Sequence, residues 1–219
     1  MSNNTKKRIL VAGVMVMVAG IAVLLEYLNI PAVRWLAVAV ACGMVAEFAL
    51  CVRKGTKNKD KSIKKFASRT IWFLVPYSIL LVMAAYFVGT RPWIILLMLL
   101  VISAADIGAW FFGRLIGGDK MWPELSPGKT WSGQIAGILC GTMAAVLYGL
   151  LGTDRFMPQL MWIGMSVALM SQYGDLTASW LKRRFGVKDF SNILPGHGGI
   201  VDRFDGWIYA LPIVWLVLL

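Results

Sequence analysis

Predominantly apolar runs of roughly 20 residues recur along this chain, separated by polar segments. A helix needs about 20 apolar residues to cross about 30 Å of hydrocarbon. The blocks therefore predict about seven transmembrane helices: roughly Ile9–Leu28, Val33–Val52, Thr70–Val88, Trp93–Phe112, Trp131–Leu151, Gln159–Leu181 and a short last one near Phe204–Leu219. Between them lie a basic loop, Arg53–Arg69, and two polar loops, Gly113–Thr130 and Lys182–Arg203. A turn around Asp154-Arg155-Phe156-Met157-Pro158 separates the fifth and sixth spans. The expected class is an all-α polytopic membrane protein. Residues 1–100 supply membrane spans and the 53–69 loop, and residues 101–219 supply a catalytic membrane region.

Composition agrees with the pattern. The chain has 219 residues, of which 58% are hydrophobic, and its mean hydropathy is +0.70. That leaves too little polar surface to cover a soluble globule. Lys6-Lys7-Arg8 precedes the first apolar block, but no small-residue cleavage site follows it, so a cleaved secretory leader is not expected. The three cysteines, Cys42, Cys51 and Cys140, have no metal-ligand spacing and read as packing residues.

Charge then orients the spans. With the N-terminus in the cytoplasm, nineteen of the 22 Lys and Arg residues fall on that side, and only Arg34, Arg91 and Arg155 fall outside. This asymmetry is the positive-inside pattern. It accounts for the net charge of +11 better than nucleic-acid binding does, and no nucleic-acid partner is expected. The eight basic residues of the 53–69 loop suit anionic headgroups, although an orientation signal alone would also explain them. Both motif-rich loops, 113–130 and 182–203, then face the cytoplasm at the inner membrane.

Polar chemistry gathers between Ser179 and Asp205, which hold five basic residues, three of the eleven carboxylates and the single histidine. Charge beside a bilayer is costly, so such a cluster marks a functional site. Asp175, Ser179 and Lys182 stand at i, i+4 and i+7 and share one helical face. Asp202 and Asp205, three apart, follow the loop. Carboxylates converging from Asp175, Asp202 and Asp205 would repel unless a divalent cation lay among them. Oxygen donors of this kind suit Mg²⁺ held together with substrate phosphates. Lys182, Arg183, Arg184, Lys188 and Arg203 stand nearby with the chemistry to hold phosphate. A juxtamembrane basic belt with helix-capping aspartates is the competing explanation.

Leu194-Pro195-Gly196-His197-Gly198-Gly199 reads as a tight turn whose backbone amides admit a phosphate; His197 is structural, a phosphate ligand or an acid/base. Ser126-Pro127-Gly128-Lys129-Thr130 contains the Gly-Lys-Thr triplet of a nucleotide-binding P-loop. However, Pro123 stands where its first glycine belongs, and no strand is expected before it. Lys129 at a helix start still suits a triphosphate. Asp106 lies within the fourth span and either completes a polar pocket or pairs with a cation. Glu26 and Glu47 lie near span ends and read as interfacial or inter-helix contacts. Small residues at Ser103, Ala104, Ala105, Gly108, Ala109, Gly133, Gly137 and Gly141 predict close helix packing.

Together these residues carry a resemblance. Ser179-x-x-Lys182-Arg183, Lys188-Asp189 and Leu194-Pro195-x-His197-Gly198-Gly199-x-x-Asp202-Arg203-x-Asp205 resemble, without a gap, the signature of the phosphatidate cytidylyltransferase (CDP-diacylglycerol synthase) family. Asp106, Gly113-Arg114 and Ser126-Pro-x-Lys129-Thr130-Trp131 resemble further family features, so the likeness covers about residues 103–210. The chain departs from the family pattern at Gly128, usually basic or polar, and at Ser132, usually Glu, and it is shorter than typical members. The resemblance implies transfer of CMP from CTP to phosphatidate, giving CDP-diacylglycerol and pyrophosphate. It also implies Mg²⁺, with room for a second cation, and a homodimer. Asp175, Asp202 and Asp205 are its implied metal ligands. Lys182, Arg183 and Arg203 join Asp175 and Asp202 as catalytic residues. Ser126, Lys129, Thr130, Ser179, Lys188, His197, Gly198 and Gly199 are the substrate-binding residues. Activity on another lipid or polyprenol phosphate is the alternative within that chemistry. Two readings from other classes remain: an ion-coupled transporter around Asp106 and Asp175, which the lack of an internal repeat opposes, and an inactive scaffold homologue.

Overall fold

The computed structural model describes residues 14, 17–18, 20–22, 24–26, 30–56, 60–153, 157–194 and 198–218. Its elements in chain order are α1 (Ala32–Thr56), α2 (Lys61–Gly89), α3 (Pro92–Ile116), β1 (Lys120–Trp122), β2 (Ser126–Thr130), α4 (Trp131–Thr153), α5 (Pro158–Arg184), α6 (Val201–Phe204) and α7 (Trp207–Leu218). Among the described residues three helices are long and apolar enough to cross a membrane: Ala32–Lys54, Pro92–Ile116 and Trp131–Gly152. They coincide with the second, fourth and fifth expected spans. Shorter apolar stretches, Tyr77–Gly89 and Trp207–Val217, fall within the third and last. The sixth becomes the 27-residue α5, which carries Gln172, Asp175 and Ser179. The first expected span and the Asp154–Phe156 part of the turn lie largely outside the described residues. Large apolar side chains point outward on the long helices, among them Ile107, Leu115, Leu139, Met143 and Trp162. A surface of this kind is stable against lipid.

The basic loop expected at 53–69 is mostly helix. α1 runs on to Thr56 and α2 starts at Lys61. Arg53 and Lys54 in the last turn of α1 complement the negative end of its dipole. Asp60 caps α2 by accepting from the Ser62 N–H at 2.8 Å. Helix geometry thus continues where hydrophobicity stops.

Two units partition the chain. The first comprises residues up to Pro92 together with Leu181–Phe204; the second comprises Trp93–Trp180 and Asp205–Leu219. In the first, α1 packs along α2 through buried Ala41, Met44, Val52, Ala67, Leu81, Ala84, Ala85 and Val88. Gly89 meets the Arg34 backbone where a Cβ would come within 2.7 Å of its Cα. The same end is joined by the Trp35–Tyr86 edge contact and an Arg34 Nη1–Tyr86 hydroxyl hydrogen bond of 3.3 Å. The returning segment docks by aromatic rings: Phe185 on Phe66, and Phe190 on Phe48.

The second unit is held by small residues, as their spacing predicts. A Cβ at Gly108 would lie 2.7 Å from the Cys140 Cβ, and one at Gly141 would lie 2.7 Å from the Ala168 Cβ. Gly133 abuts the Ala109 carbonyl, and Gly137 abuts that of Ala105. α3, α4 and α5 therefore approach at backbone distance, which apolar helices achieve through small side chains. Gly174 of α5 fits against the Asp205 carbonyl, and Gly206 against Ser171 and Ile102.

One expectation fails here. A strand does precede Lys129: β1 and β2 form a two-stranded antiparallel hairpin, with Lys120 opposite Thr130 and Trp122 opposite Ser126. Its turn closes through Leu125 N–H to the Trp122 carbonyl at 3.1 Å. A polar loop must pair its own backbone groups, and a hairpin is the short way to do so. Hydropathy blocks of 20 residues do not register elements of three and five.

Candidate functional site

In the second unit, β2 delivers Lys129 and α5 delivers Asp175. The lysine Nζ lies 2.6 Å from Asp175 Oδ2, with the side chains 25% and 40% exposed. The strand holds Lys129 because its end is locked. Thr130, buried at the start of α4, accepts from the Gly133 N–H at 3.2 Å and so caps the helix. Ser132 lies 3.1 Å from the Thr130 hydroxyl and donates to the Gly117 carbonyl, and Trp131 N–H bonds to the Asp119 carbonyl at 3.1 Å. A Cβ at Gly113 would lie 2.9 Å from Thr130 Oγ1, so glycine there admits the cap. Asp106 of α3 interacts electrostatically with both Asp175 and Lys129. The Ser179 hydroxyl donates to Asp175 Oδ1 in a long hydrogen bond of 3.5 Å.

In the first unit, Asp202 is the centre. Its side chain is 4% exposed. Oδ1 lies 2.9 Å from Lys182 Nζ, while Oδ2 accepts from the Phe190 N–H at 2.9 Å and the Gly199 N–H at 3.0 Å. One carboxylate thus ties the end of α5 to both limbs of the 185–200 loop. Gly198 adopts φ +84°, and a Cβ there would approach Asp202 Oδ2 to 3.0 Å, so glycine is required on two counts. Leu194 N–H bonds to the Gly198 carbonyl at 2.9 Å, closing the turn. The Gly199 amide, expected to face a phosphate, is engaged by Asp202.

Glu47, from α1, grips the same loop and is 1% exposed. It accepts from the Ser191 hydroxyl and from the Val201 N–H at 2.6 Å. From its place in the sequence it reads only as an interfacial or inter-helix contact. Its one signal was a carboxyl inside an apolar span, which demands a partner. The loop it holds borders a cavity of about 700 Å³ lined by Cys51, Lys54, Lys188, Asp189, Phe190 and Ser191.

The remaining expected residues fall in place as follows. Arg183, Lys188 and Arg203 are exposed on the first unit. Ser126 opens β2. Asp205 Oδ1 accepts from the Gly206 N–H at 2.8 Å, and its carbonyl accepts from Ile208 at 3.3 Å, so it helps to start α7. His197 lies outside the described residues. Among the described residues no three His, Cys, Asp or Glu side chains form a metal-holding group. Asp175, a partly exposed carboxylate, has the oxygen-donor chemistry that Mg²⁺ takes. Asp202 fits less well, with three donors already on its two oxygens.

All 219 residues, 1–219, match the model of the Cytidylyltransferase family. The chain is similar to the phosphatidate cytidylyltransferase of Staphylococcus haemolyticus strain JCSC1435, 41% identical over 138 residues, 61% of this chain and 53% of that protein. It is similar to those of Staphylococcus epidermidis strain ATCC 12228, 42% identical over 127 residues, and Staphylococcus aureus strain N315, 41% identical over 127 residues, each alignment covering 57% of this chain and 48% of the relative. The chain spans about half the length of the curated relatives it matches. On the match along its whole length, the chain belongs to the cytidylyltransferase family.

Proposed function

We propose that this protein transfers CMP from CTP to phosphatidate, forming CDP-diacylglycerol and pyrophosphate at the cytoplasmic face of the inner membrane. Family membership and the names of the relatives support the reaction class. The observation that carries the proposal is the Lys129–Asp175 pair, a cation and a carboxylate fixed at 2.6 Å by a capped hairpin and a long helix, both partly open.

In the reaction a phosphate oxygen of the lipid attacks the α-phosphorus of CTP. A new P–O bond forms, the α–β phosphoanhydride bond breaks, and its electron pair leaves on pyrophosphate. The lipid phosphate is largely ionised at neutral pH, phosphomonoesters having a second pKa of about 6. The attack therefore needs no strong general base, which suits a chain with one histidine. What it needs is alignment and charge neutralisation. Mg²⁺, when bound, supplies Lewis-acid neutralisation of the phosphates. Asp175 would be the carboxylate that holds it. Lys129 releases Asp175 and turns to the β- and γ-phosphates, stabilising the departing charge. Lys188 and Arg203, exposed on the first unit, have the chemistry to hold a phosphate. Asp202 serves by fixing the 185–200 loop and Lys182. A homodimer remains part of the proposal through the family likeness.

The test is turnover of CTP and phosphatidate by the purified protein, with lysophosphatidate and a polyprenyl phosphate as competitors. Lys129→Met and Asp175→Asn should each lower turnover at least 100-fold without loss of fold. Full activity in both variants would sink the assignment, and preference for polyprenyl phosphate would reassign the acceptor.

A further inference from the structure

We propose that Glu47 is a positioning residue for the nucleotide- and lipid-phosphate-handling loop, acting from a helix that lies outside the signature sequence. This rests on the function proposed above for its catalytic consequence, but not for its structural one. The carboxyl group is 1% exposed in a helix that is otherwise apolar at that depth. Burying it without partners would be costly, and both its oxygens are used on the loop: Oε1 on the Ser191 hydroxyl and Oε2 on the Val201 N–H. Any side chain at Gly199 would collide with it. Ile200 packs on Gly43 one turn away, where a Cβ would come within 2.8 Å of its Cδ1. The loop is therefore seated on α1 by shape and by two hydrogen bonds.

Asp202 and Glu47 hold different groups. Asp202 takes the Phe190 and Gly199 amides, and Glu47 takes Ser191 and Val201. Each limb of the loop is thus held by both carboxylates. Phe190 and Ser191 line the 700 Å³ cavity with Lys54 and Lys188, so the seat determines where its wall stands. Cys51 lies one turn beyond Glu47 on α1, is 4% exposed and lines the same cavity, which makes its thiol a reporter of the seat.

The experiment compares Glu47→Gln with Glu47→Met, both close to Glu in volume. Gln can accept from Val201 N–H and donate to Ser191 Oγ, whereas Met can do neither. The readouts are amide exchange at residues 190–201 and the rate of Cys51 alkylation, each followed by peptide mass. Neither requires CTP, so they decide the inference even if the wild-type protein makes no CDP-diacylglycerol. Glu47→Met should speed loop exchange and Cys51 alkylation at least tenfold, leave exchange in α3–α5 unchanged, and raise KM for CTP or phosphatidate more than it lowers kcat. Glu47→Gln should stay within threefold of wild type on every readout. Unchanged loop exchange in Glu47→Met overturns the inference. So does a Gln variant as impaired as Met, because the carboxyl would then be needed for its charge. If Glu47→Met loses protection throughout, Ser191→Ala decides: it must speed exchange at 190–194 at least threefold, and no change there overturns the inference.

Discussion

Replacing Asp202 with Asn tests how much one carboxylate holds. The side chain is 4% exposed and takes three donors: Lys182 Nζ at 2.9 Å, Phe190 N–H at 2.9 Å and Gly199 N–H at 3.0 Å. Asn keeps the shape but has one acceptor oxygen. If that oxygen stays on the two amides, its NH₂ group faces the Lys182 ammonium, donor against donor. Losing one partner of a buried pair costs about 3–5 kcal/mol. The Lys182 side chain is 16% exposed, so some water reaches it and the lower end applies. About 3 kcal/mol is about a 150-fold change in an opening equilibrium. Amide exchange at Phe190 and Gly199 reads that opening directly, and both amides should exchange about 100-fold faster in Asp202→Asn. Adding Lys182→Met should return much of the loss, because removing both charges is far milder than stranding one. Exchange within threefold of wild type in the single variant would refute the reasoning, since the carboxylate would not then be what pins the loop.

Lys129→Met should behave in the opposite way. With its pair 25% and 40% exposed, it contributes about 0–1 kcal/mol to stability; the melting temperature in detergent should hardly move while CTP turnover falls at least 100-fold. Gly174→Ala should lower the melting temperature by the equivalent of about 1–3 kcal/mol, because its Cβ meets the Asp205 carbonyl. Gly128→Ala, with nothing within 4 Å of its Cβ, should change stability by less than about 0.5 kcal/mol. Chelation of divalent cations should abolish turnover, and Mg²⁺ should restore it, with no change in melting temperature, because Asp175 and Asp202 each have a lysine partner without a metal.

The membrane helices were legible because hydrophobicity is read locally. Trp131 and Leu151 bound an apolar block, and α4 runs from Trp131 to Thr153. Helix ends were less legible, since Arg53 and Lys54 leave the apolar block but remain helical. The hairpin at 120–130 was missed because it is set by backbone pairing and by Ser132 reaching back to Gly117, which no periodicity shows. The candidate site residues are legible by type, yet their partners are not. Asp175 looked like one of three converging carboxylates, whereas its nearest partner is Lys129 from a strand 46 positions earlier. The partners of Asp202, Lys182 and two backbone amides, are likewise not announced by its spacing. Glu47 acts 144 positions away from Ser191, a distance at which spacing along the chain carries no information.

The most direct test of the central claim is product analysis from the purified protein in detergent with CTP, phosphatidate and Mg²⁺. The expected result is CDP-diacylglycerol and pyrophosphate in equal amounts, lost in Asp175→Asn. Protein protected at residues 190–194 and 198–201 that forms neither product from any lipid phosphate would contradict the account.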